Sequence, residues 1–303
     1  MSPTKSQQTS VNNLTGAVWM LGGVLCFSIS AIFIKIAGHK FHPFQIVFFR
    51  CVFGLIVVIP LIMQTGLQAL VLKKPVLHFC RIVCAFIGMS SGFYAISKLE
   101  LVTAISLSFT RPLFIGILAA IFLKEAIGWR RGLATLIGFI GVITMVQPGL
   151  IGSNIAILSG LIGALSVAGA LIFVKLIVPY DSPVSIMLTF SIGTATISIL
   201  PAMFFWQTPN SQELWFLIAL GIMASFGQFC TIKAFELGES TIMGPIDYLQ
   251  IIVGTISGFY LFQEQPNSGT YVGATIISLS TLYIVLRDSK LPNKTISSVN
   301  NLN

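Results

Sequence analysis

Charge is what this chain has least of. Lys, Arg, Asp and Glu make up 9% of it, whereas hydrophobic residues make up 55% and the mean hydropathy is +0.93. A soluble globular domain carries roughly a quarter of its residues charged. This chain therefore cannot cover a water-facing surface, and its folding must bury side chains in lipid. Catalytic patterns are missing too. There is no H-E-x-x-H, no G-x-S-x-G and no P-loop, so neither hydrolysis nor ATP use is indicated, and no enzyme activity or cofactor is expected. Cysteine is sparse and odd in number. Cys26, Cys51, Cys80, Cys84 and Cys230 fall in or beside apolar runs, as small packing residues do, and they do not suggest a disulfide framework. Cys80 and Cys84 stand one helical turn apart without the further ligands of a metal site. The net charge of +8 forms no basic stripe with interleaved aromatics, which argues against a nucleic-acid partner.

Long apolar runs are what the chain has in abundance. A hydrocarbon core of about 30 Å takes about 20 helical residues. Ten stretches of about that length recur, at approximately 14–37, 43–63, 75–97, 101–123, 129–147, 154–177, 183–205, 212–235, 241–262 and 268–286. They are continuous and do not alternate with polar residues, so helices are expected and a barrel is not. The connections are short, which makes neighbouring helices antiparallel. The polar segment 1–13 has no signal-peptide pattern, and the first span is long enough to be a retained helix. The tail 287–303 is polar, and from Lys290 onward its Asn and Ser content predicts disorder. With the N-terminus inside, the cytoplasmic loops and ends hold Lys5, Lys73, Lys74, Lys124, Arg130, Arg131, Lys175, Lys233, Arg287, Lys290 and Lys294. The other side keeps Lys35, Lys40 and Lys98. That asymmetry predicts both termini in the cytoplasm.

The chain repeats itself. His42-Pro43-Phe44 opens span two and Ser182-Pro183-Val184 opens span seven. Span four runs from Thr103 to Phe122-Leu123-Lys124-Glu125, and span nine from Thr241 to Leu261-Phe262-Gln263-Glu264. The halves, 14–147 and 154–286, hold five spans each, and an odd number per repeat sets them in opposite orientations. Inverted repeats place a substrate site near the midplane and support alternating access. Gly254 with Gly258, Gly160 with Ala164, and Ala134 with Gly138 give small residues at helical spacing for close packing.

Charges inside spans mark pathways or sites, because lipid alone does not tolerate them. Arg111, in Phe109-Thr110-Arg111-Pro112, falls mid-span, where Pro112 removes a hydrogen bond and frees the Ser108 carbonyl beside a kink. Asp247, in Gly244-Pro245-Ile246-Asp247-Tyr248, is the one acid well inside a span and lies in the counterpart of the Arg111 span. The two would either lock the bundle as an ion pair or bracket a zwitterion. Asp247 is also a candidate proton carrier for coupling. Tyr248, Gln250 and Thr110 add polar groups nearby. Arg50 lies about a third of the way into span two, where its guanidinium would fork onto a carboxylate. Arg81 and Lys35 are expected to snorkel towards the membrane surfaces. Glu125 and Glu264 end equivalent spans and would pair with Arg130 or another loop group. Phe93, Tyr94, Tyr248 and Phe259 would box a cation, or simply pack.

Two five-span halves, closing in Phe122-Leu123-Lys124-Glu125 with Gly138-Phe139-Ile140-Gly141 and in Phe262-Gln263-Glu264 with Gly273, resemble the EamA family of the drug/metabolite transporter superfamily over about 14–286. The resemblance implies an all-α membrane fold of ten transmembrane helices in two inverted repeats. It also implies a central cavity and secondary transport across the bacterial inner membrane. Within that superfamily the chain is most similar to the S-adenosylmethionine uptake carriers of intracellular bacteria. The likeness rests on Pro43-Phe44-Gln45-Ile46-Val47-Phe48-Phe49-Arg50, on His78-Phe79-Cys80-Arg81 and on Ser108-Phe109-Thr110-Arg111-Pro112-Leu113-Phe114. The expected partners are the lipid bilayer and a small polar metabolite, with S-adenosylmethionine the first candidate and an exported amino acid the alternative. A non-transporting membrane scaffold is the reading from a different class. The protein would act as a monomer or homodimer.

Overall fold

The computed structural model describes residues 13–65, 72–123, 129–146, 154–237, 243 and 246–288. Glu125, Thr241, Gly244 and Pro245, most of segment 1–13 and the tail beyond Asp288 lie outside the described residues. The described chain is helical, in eleven elements. They are α1 (Asn13–Ala37), α2 (Pro43–Thr65), α3 (Pro75–Lys98), α4 (Leu101–Ser108), α5 (Arg111–Leu123) and α6 (Trp129–Val146), followed by α7 (Asn154–Ile177), α8 (Pro183–Phe204), α9 (Ser211–Leu237), α10 (Leu249–Phe262) and α11 (Ser268–Asp288). Proline at the first helical position starts α2, α3 and α8, where its fixed φ suits the helix and its missing N–H has no partner to lose. Ser182 caps α8 by accepting from the Ser185 N–H at 3.2 Å.

Seven stretches are long and apolar enough to cross a membrane, with shorter apolar helices at Gly132–Thr144 and Leu249–Phe262. The protein buries only 39–44% of each long window. The apolar remainder, including Leu14, Leu200, Met203 and Ile155, points outward, as lipid contact requires. Within the bundle, α1 packs along α9, α3 along α7, α2 along α8 and α6 along α11. Every one of these pairings joins an element before residue 147 to one after residue 154.

Span four departs from the expected kinked helix. It is broken: α4 ends at Ser108, Phe109 and Thr110 form a turn, and α5 restarts at Arg111. Pro112 is therefore the second residue of a new helix, where proline costs nothing, and the Ser108 carbonyl is not free because the Arg111 Nε–H donates to it at 2.7 Å.

Backbones approach most closely between α3 and α7. A Cβ on Gly163 would stand 3.0 Å from the Gly92 nitrogen and 3.2 Å from the Gly88 carbonyl oxygen, neither of which can move aside like a side chain. Gly160 and Gly254 meet side chains instead, those of Leu107 and Ile105. Gly163→Val is expected to push α3 off α7 and to destabilise by about 1–3 kcal/mol. A lowered melting temperature in detergent, with Gly160→Ala much milder, checks this.

Candidate functional site

The two helix breaks meet. Phe109, in the turn between α4 and α5, stacks on Tyr248, the residue that caps α10, with ring centroids 4.6 Å apart and planes 22° off parallel. With Glu125 aligned on Glu264, Phe109 and Tyr248 are counterparts, as are Ser108 with Asp247 and Arg111 with Gln250. Each half thus presents one aromatic flanked by a polar pair one turn apart. In one pair Arg111 donates to the Ser108 carbonyl, and in the other the Gln250 amide donates to the Asp247 carboxylate. The positional partner of Arg111 is Gln250 and not Asp247, although both charges come from corresponding spans.

Arg111 and Asp247 feel each other's charge but form no direct ion pair. Both are half-buried, so each keeps surface open to a ligand at mid-span depth. The Tyr248 hydroxyl donates to Thr281, which in turn donates to the Ile277 carbonyl at 2.7 Å, and this fixes the ring. Thr110 is fully buried and gives its hydroxyl to the Leu107 carbonyl at 2.6 Å. It closes α4 and offers a ligand nothing, contrary to the sequence expectation. Ser28, Ser90, Ser106 and Thr194 carry buried hydroxyls with no hydrogen-bond partner, and all but Ser106 lie near the middle of their helices. Such groups are costly in a settled core.

Other sequence expectations are revised. Lys35 does not snorkel. It is 7% exposed, pairs with Glu264 and donates to the Leu99 carbonyl at 2.6 Å. Glu264 thus binds Lys35 and not Arg130, and it also accepts the Leu101 N–H at 2.7 Å. Arg81 turns inward, buried, and donates to the Ile186 carbonyl at 2.7 Å. Helix packing explains these three cases, because a neighbouring carbonyl or carboxylate lies nearer than the membrane surface. Arg50 remains half-buried beside Phe190 of α8. The aromatic box does not assemble: Phe93 is packed in the core, Tyr248 is stacked on Phe109, and Phe259 is 54% exposed on the outer face of α10.

At the other end of the bundle, His78 Nε2 and the Lys73 N–H each contact the Asp181 carboxylate at 3.1 Å. Burial works to raise the Asp181 pKa, but the Lys73 N–H and His78 outweigh it and hold the carboxyl below its usual range. A depressed folded pKa contributes stability above the unfolded value, near about 4, and loses it as pH falls through the folded value. Asp181→Asn is therefore expected to lower the melting temperature at pH 7. The gap between variant and parent should close below about pH 4.

An all-helical, multi-pass membrane protein whose interrupted helices meet beside unpaired charge has the form of a secondary carrier. This chain belongs to the EamA-like transporter family, which matches residues 14–147 and again residues 154–286. It is a transporter of small metabolites, not an enzyme. It is 36% identical over 277 residues to the S-adenosylmethionine uptake transporter of Rickettsia prowazekii, an alignment covering 91% of this chain and 94% of that one. The riboflavin transporter of Vibrio cholerae is 28% identical over 282 residues, covering 91% and 95%. A solved crystal structure shares the fold with a TM-score of 0.65 at 16% identity, over 92% of this chain and 99% of that one.

Proposed function

We propose that this protein carries a small zwitterionic metabolite across the bacterial inner membrane by alternating access, with S-adenosylmethionine, taken up, as the first cargo to test. In this reading ten transmembrane helices form two inverted repeats, 14–147 and 154–286, and both termini lie in the cytoplasm. The reciprocal pairing of α1 with α9 and of α3 with α7 supports that arrangement, because a two-fold relation between the halves exchanges these two pairs. The broken helices supply the site, as discontinuous spans do in carriers of this architecture.

One observation carries the reading. Arg111 and Asp247 sit within electrostatic reach at mid-depth and leave each other unpaired. A carboxylate would take the Arg111 fork, and an ammonium or sulfonium would sit against Asp247 and the Phe109–Tyr248 aromatic pair. Gln250 orients the Asp247 carboxylate, and Arg50 adds positive charge from α2. Similarity to the Rickettsia uptake transporter supports the cargo.

Counterflow in proteoliposomes tests the proposal. Vesicles preloaded with S-adenosylmethionine should accumulate the labelled compound, and S-adenosylhomocysteine should compete. Counterflow of amino acids alone would reassign the cargo, and no counterflow of either would overturn the zwitterion reading. If proton coupling through Asp247 drives accumulation, collapsing the proton gradient abolishes it. Uptake that survives the collapse would exclude that coupling.

A further inference from the structure

Away from the Arg111 site, two arginines from different helices converge on one aromatic ring. The Arg50 guanidinium carbon of α2 lies 5.7 Å from the centroid of the Phe190 ring of α8, and that of Arg81 of α3 lies 5.1 Å from it. Each sits about 10 Å along its helix, taken at about 1.5 Å per residue, from an end on the opposite side of the bundle. Their side chains therefore reach towards a common depth from above and below. Arg81 is 6% exposed, and its other recorded contact is the Ile186 carbonyl at 2.7 Å. Arg50 keeps open surface and otherwise meets the Cys51 thiol. Among the described residues no carboxylate pairs with either.

Two guanidinium groups inside a membrane span with no counter-ion are an unfinished charge balance. A carbonyl and a ring face lower the cost of the first cation, and neither neutralises the second. A single anion held between the two would do so, because each guanidinium presents a planar fork that matches a carboxylate. The half-open position of Arg50 gives such an anion a way in.

We infer that Arg50, Arg81 and Phe190 form a second subsite that binds the carboxylate of the cargo, separate from the Arg111–Asp247 site and occupied before or after it along the path. This rests on the reading of the cargo as a carboxylate-bearing metabolite. Phe190 holds both arginines in place, and Arg81 is the fixed member while Arg50 closes on the anion. S-adenosylmethionine uptake would then depend on its carboxylate at two points, and a decarboxylated analogue would lose both.

The test uses the purified full chain in uncharged detergent, with melting temperature followed as acetate replaces chloride at constant ionic strength. Acetate should stabilise the parent saturably. Arg50→Gln, which removes no hydrogen bond to the backbone, should raise the half-saturating concentration at least about tenfold, and Phe190→Leu should do the same at unchanged charge. Arg81→Lys, which keeps the charge and a donor for Ile186, should weaken acetate less than Arg50→Gln does. Arg111→Lys should leave part of the acetate effect intact. Absence of any acetate effect, or parent-like titration by Arg50→Gln, would overturn the subsite whatever the cargo is. Phosphatidylglycerol that stabilises the parent through Arg50 while acetate does not would overturn it in favour of a lipid site. Loss of S-adenosylmethionine binding with the acetate response preserved would count against the cargo alone and leave the subsite standing.

Discussion

Arg111→Ala abolishes transport while the protein stays folded in the membrane; that is the expected result, and Asp247→Ala should do likewise. Each removes one charge from a pair that closes on no other protein charge, so little protein–protein interaction is lost. What is lost is the charge-assisted contact to the cargo, and on that ground uptake should fall at least about tenfold for either variant. The conservative replacements separate binding from folding. Arg111→Lys keeps the cation but not the fork, so it should raise the KM for a carboxylate-bearing cargo more than it lowers the maximal rate. Asp247→Asn keeps the Gln250 contact and removes the charge, so it should lose the cationic cargo while melting like the parent. If both alanine variants instead melt early and transport in proportion to the folded fraction, the pair is structural.

Lys35→Ala should produce the largest loss of stability of any single replacement considered. The Lys35–Glu264 pair ties α1 to the loop between α10 and α11, and both side chains are about nine-tenths buried, with 9% and 10% exposed. Glu264 also takes the Leu101 N–H, and Lys35 the Leu99 carbonyl, so the pair pins the start of α4 as well. Removing the lysine strands a carboxylate in an apolar setting, which costs about 3–5 kcal/mol. The double variant Lys35→Met with Glu264→Gln leaves no buried charge and should recover much of that loss. A double-mutant cycle on melting in detergent reads this directly. A cost for Lys35→Ala within experimental error of zero would mean the pair is already open to water.

Most of the helix boundaries were legible because membrane-length apolar runs and short polar breaks leave few alternatives. The expected span 43–63 became Pro43–Thr65 and 183–205 became Pro183–Phe204, shifts of the size that fraying ends allow. Span four was misread at one point. A proline after an arginine reads as a kink in an otherwise continuous helix, yet the chain turns at Phe109 and Thr110 before Pro112 is reached. The position of Pro112 relative to a helix start is set by α10 and α7 packing against that segment, which no local pattern encodes.

The candidate site was half legible. Arg111 and Asp247 stood out because a charge in an apolar run is conspicuous. Phe109 did not, since one phenylalanine among 24 carries no signal until its counterpart Tyr248 is found stacked on it. Aligning the two closing glutamates residue by residue would have matched them. Lys35 and Arg81 were assigned to the membrane surfaces because reach along one helix can be counted from sequence. Their actual partners, Glu264 and Ile186, lie on other helices and could not be counted that way.

The central claim is that this chain carries a zwitterion past Arg111 and Asp247, and the most direct test is uptake of radiolabelled S-adenosylmethionine into cells expressing it. The account predicts saturable uptake, competed by S-adenosylhomocysteine, unaffected by the decarboxylated analogue, and absent in both Arg111→Ala and Asp247→Ala. Uptake no greater than in cells without the protein, with the chain present in the membrane, would contradict it.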